Sequence, residues 1–290
     1  MPVQRALATL ESDHPAATQT LRAARQRVSN GLSFAAAAKT ARMSSPLDDA
    51  LLSAAESAGR LGPSLARLSL WYEARVVRTS KIRNGLVFPA LVLTLAAFAQ
   101  PLPKFLEGSL TLVLYLLEAG RILLVFALSL ATLVWIYRTL QQRQAHKTNA
   151  LDRLRLALPL FGRHHRRIQM LSLLSAFEML YTAGLPPDRA ISIALRVLSN
   201  GCIRASFSGA SAAFSAGKSI TEVLTSSPHL SGLAHELVKA GEAAGTVGES
   251  LQRYEAIESE EVAQSDQAFA DWTPRLVYAL VASWMVSTLF

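Results

Sequence analysis

Residues 45–67, SPLDDALLSAAESAGRLGPSLAR, return as residues 231–253, SGLAHELVKAGEAAGTVGESLQR, without a gap and at an offset of 186. Eleven of the 23 positions are identical, where about two would match by chance at this composition. The shared residues include Glu56, Gly59, Gly62, Leu65 and Arg67, which recur as Glu242, Gly245, Gly248, Leu251 and Arg253. Each copy runs on into an uncharged apolar stretch, so the repeat predicts two soluble modules that each feed a membrane helix. That arrangement points to a scaffold more than to a catalyst.

Outside the apolar stretches the chain is rich in Ala, Leu, Arg, Glu and Ser and poor in β-branched runs. Apolar residues at three- and four-residue spacing, such as Leu171, Leu174, Phe177 and Leu180, predict amphipathic helices. Gly184 ends one helix, and Pro186 and Pro187 with Asp188 open the next. Gly31 with Ser33 and Gly217 with Ser219 mark further junctions, and Asp48-Asp49 suits the first turn of a helix. The fold class is therefore all-α, with a first bundle over 1–82 and a second over 150–268, about six helices each. The first copy is truncated. At the fixed offset residue 1 aligns with Pro187, so the helix expected at 166–183 has no counterpart.

Glu56, Gly59 and Gly62 with Glu242, Gly245 and Gly248 have two readings. One is a helix-turn-helix corner in which Gly59 and Gly245 supply the left-handed residue. The other is a docking surface made of the acid and the tight turn. Beyond the second corner Glu255, Glu258, Glu260, Glu261, Asp266 and Asp271 line a long helix, whereas the matching first-copy helix carries Arg67, Arg75, Arg78 and Lys81. The two faces are expected to attract, within one chain or between chains.

Three membrane spans are expected, at 84–103, 117–138 and 269–290, with a short periplasmic loop over 104–116. No charge falls between Arg83 and Lys104, and Pro101 and Pro103 are expected to end the first span. In the second, Glu118 and Arg121 lie three apart and are expected to pair on one helical face. The third is short, with 15 residues after Arg275. Ala96, Ala97, Ala99, Ala127 and Ala131 are small enough for close helix packing. Half the residues are hydrophobic and the mean hydropathy is +0.26.

The net charge of +8 has a topological reading. Arg75, Arg78, Lys81 and Arg83 precede the first span, and Arg138, Arg143, Lys147, Arg153 and Arg155 follow the second, whereas the loop between holds only Lys104, Glu107, Glu118 and Arg121. This places the N-terminus and both bundles in the cytoplasm and the C-terminus in the periplasm, and it disfavours nucleic acid as a partner. Cys202 stands alone, in keeping with a reducing compartment. With Glu11 and Asp13 and no apolar run, the N-terminus does not read as a signal peptide.

Catalytic, cofactor and metal sites are not expected. His235-Glu236 opens like a zinc-protease helix, but Lys239 stands where the second histidine is needed. His164-His165 sits in a basic run suited to a membrane surface, and no phosphate-binding loop occurs. A small transporter or channel is the alternative function. It would need ionisable residues inside the spans, which are nearly free of them.

At this point the residues resemble a known family, the F-domain inner-membrane platform proteins of bacterial type II secretion systems and type IV pili. The resemblance rests on Leu158-Pro159-Leu160-Phe161-Gly162, on Ala183-Gly184-Leu185-Pro186, and on Gly241-Glu242-Ala243-Ala244-Gly245-Thr246-Val247 with its first-copy match from Ala55 to Leu61. Ala55 and Val247 depart from the family's usual Gly and Leu. The resemblance implies a non-enzymatic protein of the bacterial inner membrane. It would couple a cytoplasmic hexameric assembly ATPase to pilin or pseudopilin transmembrane helices, beside other inner-membrane assembly proteins and as a homo-oligomer.

Overall fold

The structure, a computed structural model, describes residues 2–13, 15–85, 87–142, 150–157 and 161–289. Helices, turns and loops make up all the described residues, with no strand among them. The helices are α1 (Pro2–Asp13), α2 (Thr18–Ser29), α3 (Phe34–Thr40), α4 (Pro46–Ser57), α5 (Leu61–Gly85), α6 (Val87–Ala99), α7 (Leu102–Leu106) and α8 (Leu112–Gln142). Then come α9 (Ala150–Ala157), α10 (Phe161–Thr182), α11 (Pro187–Ala194), α12 (Gly201–Ser206), α13 (Ala210–Ser215), α14 (Ile220–Thr225), α15 (Gly232–Ala244) and α16 (Val247–Leu289). The expected motif residues Leu158, Pro159 and Leu160, and Arg143 and Lys147 of the basic linker, lie outside the described residues.

The helix boundaries repeat at the offset of the sequence repeat. Helices α3, α4 and α5 begin at 34, 46 and 61, and α14, α15 and α16 begin at 220, 232 and 247, each 186 later. The cause is local. Ser33 and Ser219 are N-caps whose hydroxyls accept from Ala36 N and Glu222 N at 3.3 and 3.1 Å. Ser45 and Ser231 do the same for Asp48 N at 3.3 Å and Ala234 N at 3.2 Å, meeting amide donors that a helix start leaves unpaired. Asp48 also accepts from Ser45 N at 2.7 Å, completing a capping box in the first turn of α4. Gly31 and Gly217 have φ of 90° and 81°, and Gly59 and Gly245 of 67° and 71°, a region that side chains with a Cβ disfavour.

The chain forms two compact units. One holds residues 1–72 and 146–262, the other residues 73–145 and 263–290. Where the sequence led to an expectation of one bundle for each copy, both copies fall in the first unit. The truncation explains it. The first copy's own apolar cluster is small, built on Ala35, Ala38 and Leu52 with Phe34, Leu61 and Leu65. Four further apolar side chains of this copy, Leu47, Leu51, Leu68 and Trp71, join the main core with Leu173, Phe177, Leu180, Ile191, Leu224, Leu251 and Tyr254. Helix α10, which the first copy lacks in its own right, packs against α4 as well as against α11.

In the second unit α6 packs on α8 through small residues, with Ala96, Ala97 and Ala119 buried. Tyr115 donates its hydroxyl to the Phe98 carbonyl at 2.9 Å, and its ring lies 5.2 Å from that of Phe105. Glu118 and Arg121 pair at 3.1 Å. Leu95, Leu116, Leu117, Leu124, Leu128 and Trp135 are exposed. The first expected span, 84–103, is broken at its far end. Helix α6 stops at Ala99, a length of about 20 Å, and the short α7 follows. Helices run through the second and third expected spans, but among the described residues no helix is both long and apolar enough to cross a membrane.

Candidate functional site

The repeated glutamates grip helix starts that lie far back in the chain. Glu56, near the end of α4, accepts from Phe34 N at 2.8 Å and Ala35 N at 3.1 Å, at the N-terminus of α3. Glu242, near the end of α15, accepts from Ile220 N at 2.6 Å and Thr221 N at 2.9 Å, at the N-terminus of α14. The same bidentate contact thus occurs twice at one offset. A carboxylate there meets unpaired amides and the positive end of the helix dipole. Burial alone would raise the Glu242 carboxyl, but donors on Thr221, Ile220 and Ser219 outweigh it and hold the group below its ordinary value.

The repeated glycines divide. Gly59 and Gly245 both have positive φ, and at Gly245 the chain turns with Thr246 N donating to Gly241 O at 2.7 Å. Gly62 and Gly248 are not alike. A Cβ on Gly62 would meet open space, whereas one on Gly248 would lie 2.9 Å from Thr182 Oγ1. Gly241, for which the first copy has Ala55, has no room either, since a Cβ there would fall 2.7 Å from Ser250 Cβ. Gly184 has φ 97°, with Leu185 N bonded to Leu180 O at 3.1 Å, and Pro186 is the extended N-cap residue of α11.

Between the copies lies a polar cluster centred on Glu178, which is 1% exposed. Its Oε2 accepts from Arg67 Nε and Nη2 at 3.3 and 3.2 Å, and its Oε1 from Gln252 Nε2 at 2.6 Å and Thr182 Oγ1 at 3.2 Å. Arg67 Nη2 also pairs with Glu255 on α16. Burial pushes the Glu255 carboxyl up, Arg67 pulls it down and Glu178 pushes it up again, and the net result lies above the ordinary value. A cleft of about 340 Å³ opens beside the cluster, lined by Leu51, Arg60, Pro63, Met179 and Ala183 among others.

The expected attraction between α5 and α16 is thus met at Arg67 and Glu255. Glu258 and Glu261 pair with Arg167 of α10, at 3.1 and 2.5 Å. Burial raises the Glu258 carboxyl above its ordinary value, with Arg167 opposing and Glu261 reinforcing the rise. Sequence reasoning missed Glu178, although a signal was present. It is the one acidic residue of α10, set inside the apolar run from Met170 to Leu180. Arg67 and Arg253, identical in the repeat, part company, for Arg253 is exposed. Among the described residues no group of three or more His, Cys, Asp or Glu converges as a metal site would require.

Two helical copies, capped at equivalent positions, thus meet across the Glu178 cluster. The sequence matches the family profile of type II secretion system (T2SS) protein F over residues 1–102 and 173–290, two stretches that each contain one copy of the repeat. The chain belongs to this family. It is 25% identical over 293 aligned positions to the type IV pilus assembly protein PilC of Thermus thermophilus, covering 93% of this chain and 70% of the relative. It is 26% identical over 276 positions to type II secretion system protein F of Pseudomonas aeruginosa, covering 87% of this chain and 67% of that protein.

Proposed function

We propose that this protein is an inner-membrane platform for type IV pilus assembly or type II secretion. In this reading it couples a cytoplasmic hexameric assembly ATPase to pilin or pseudopilin helices, works as a homo-oligomer beside other inner-membrane assembly proteins, and catalyses nothing itself. The family match carries the reading, since both relatives bear the names of such systems. The second unit supports the membrane part. Its Leu95, Leu116, Leu117, Leu124, Leu128 and Trp135 side chains face outward, where lipid would cover them and water would not favour them. The largely apolar stretches around 84–103, 117–138 and 269–290 supply the spans, with 104–116 as the periplasmic loop and the residues of both repeats cytoplasmic.

The chemistry suits transmission rather than turnover. The repeated corners are stiffened by capping and by glycine turns, and α16 runs unbroken over 43 residues from the Gly245 corner to Leu289. The glutamate corners serve as stiff presentation points for a partner. The test is co-purification in detergent. The assembly ATPase of the same system should be retained by the full-length protein. Failure to retain it, together with solute flux in reconstituted vesicles, would favour a channel and end the platform reading.

A further inference from the structure

Glu178 divides its two oxygens between the copies. Oε1 holds Gln252 and Thr182 of the second copy at 2.6 and 3.2 Å, and Oε2 holds Arg67 of the first. Arg67 reaches on to Glu255, so one guanidinium joins a first-copy helix to two second-copy helices. Two carboxylates meet one cation, which leaves a surplus negative charge where Glu178 is sealed from solvent. Arg67 itself keeps about a third of its side-chain surface open, and the inter-copy cleft lies against it.

We propose that Arg67, Glu178 and Glu255 form a releasable clasp that sets how closely the first copy sits against α10 and the root of α16. Withdrawal of Arg67 leaves Glu178 bonded to Gln252 and Thr182, so the second copy keeps its internal polar contacts while the first is freed. The apolar contacts of Leu47, Leu51 and Trp71 then act as the hinge about which the cleft widens. The surplus charge biases the device toward opening, and neutralising Glu255 biases it toward closure.

The experiment uses the full chain in lipid nanodiscs, with Cys202→Ala and spin labels on cysteines at the exposed positions Ser57 and Glu260. Wild type should give one distance population at low salt, and Arg67→Gln a second, longer one. Arg67→Lys should fall between, since an ammonium keeps the charge but lacks the rigid planar fork with which the guanidinium meets Glu178. Glu255→Gln should narrow the wild-type distribution. An Arg67→Gln protein with wild-type helicity and an unchanged distribution would overturn the proposal. If Arg67→Gln does not fold, Glu255→Gln decides alone, and an unchanged or broader distribution there is equally fatal.

Discussion

At the residue scale, Glu56 and Glu242 do the same work twice, and each binds two backbone amides through a full carboxylate. Glu242→Gln keeps the size and loses the charge, and should cost about 1–2 kcal/mol in urea unfolding. Its pH dependence follows from the depressed value. Stability from this contact is complete above the ordinary carboxylate value of 4.5 and is lost as pH falls below it. Glu255 has the opposite sign. Its value is raised, so the folded state binds a proton more readily than the unfolded one, and its penalty grows as pH rises from 4.5 through the folded value. Glu255→Gln should therefore raise Tm at pH 7 by more than at pH 4.5, and an equal gain at both would contradict the assignment. Among the glycines, Gly245→Ala should cost about 1–2 kcal/mol for its left-handed backbone. Gly62→Ala, facing open space, should be neutral or stabilising by up to about 1 kcal/mol.

At the scale of the helix, α10 explains both what could be read in the sequence and what could not. The apolar spacing from Leu171 to Leu180 announces a helix, and Gly184 with Pro186 and Pro187 announces where it stops and the next begins. Ser33, Ser45, Ser219 and Ser231 likewise mark helix starts, because a cap acts within one turn of its own position. The grip of Glu242 on α14 was hidden because its donors lie 22 and 21 residues upstream, beyond the reach of local rules. The double duty of α10 was hidden for a related reason. Periodicity shows that a helix has a buried face, but α10 is buried nearly all round from Gln169 to Leu180, and pattern alone does not say which partner covers which side. Gly248→Ala tests that crowding, since the new methyl would displace Thr182 and with it one donor of Glu178. A loss of about 1–3 kcal/mol is expected, against little or none for Gly62→Ala.

At the scale of the molecule, the proposed topology can be tested directly. On the Cys202→Ala background, a cysteine at Ser109 should react with an impermeant maleimide from the periplasm. Cysteines at Ser57 and Ala243 should react only after the inner membrane is opened. Labelling of Ser57 and Ala243 from opposite sides would break the reading, because their copies share one apolar core. That shared core also has a temporal meaning. Leu47, Leu51, Leu68 and Trp71 leave the ribosome well before Leu173, Phe177 and Leu180, with the whole of residues 73–145 between them. The early segment spends that interval with greasy side chains and no lasting cover, so chaperone occupancy on nascent chains should persist until α10 emerges and then fall.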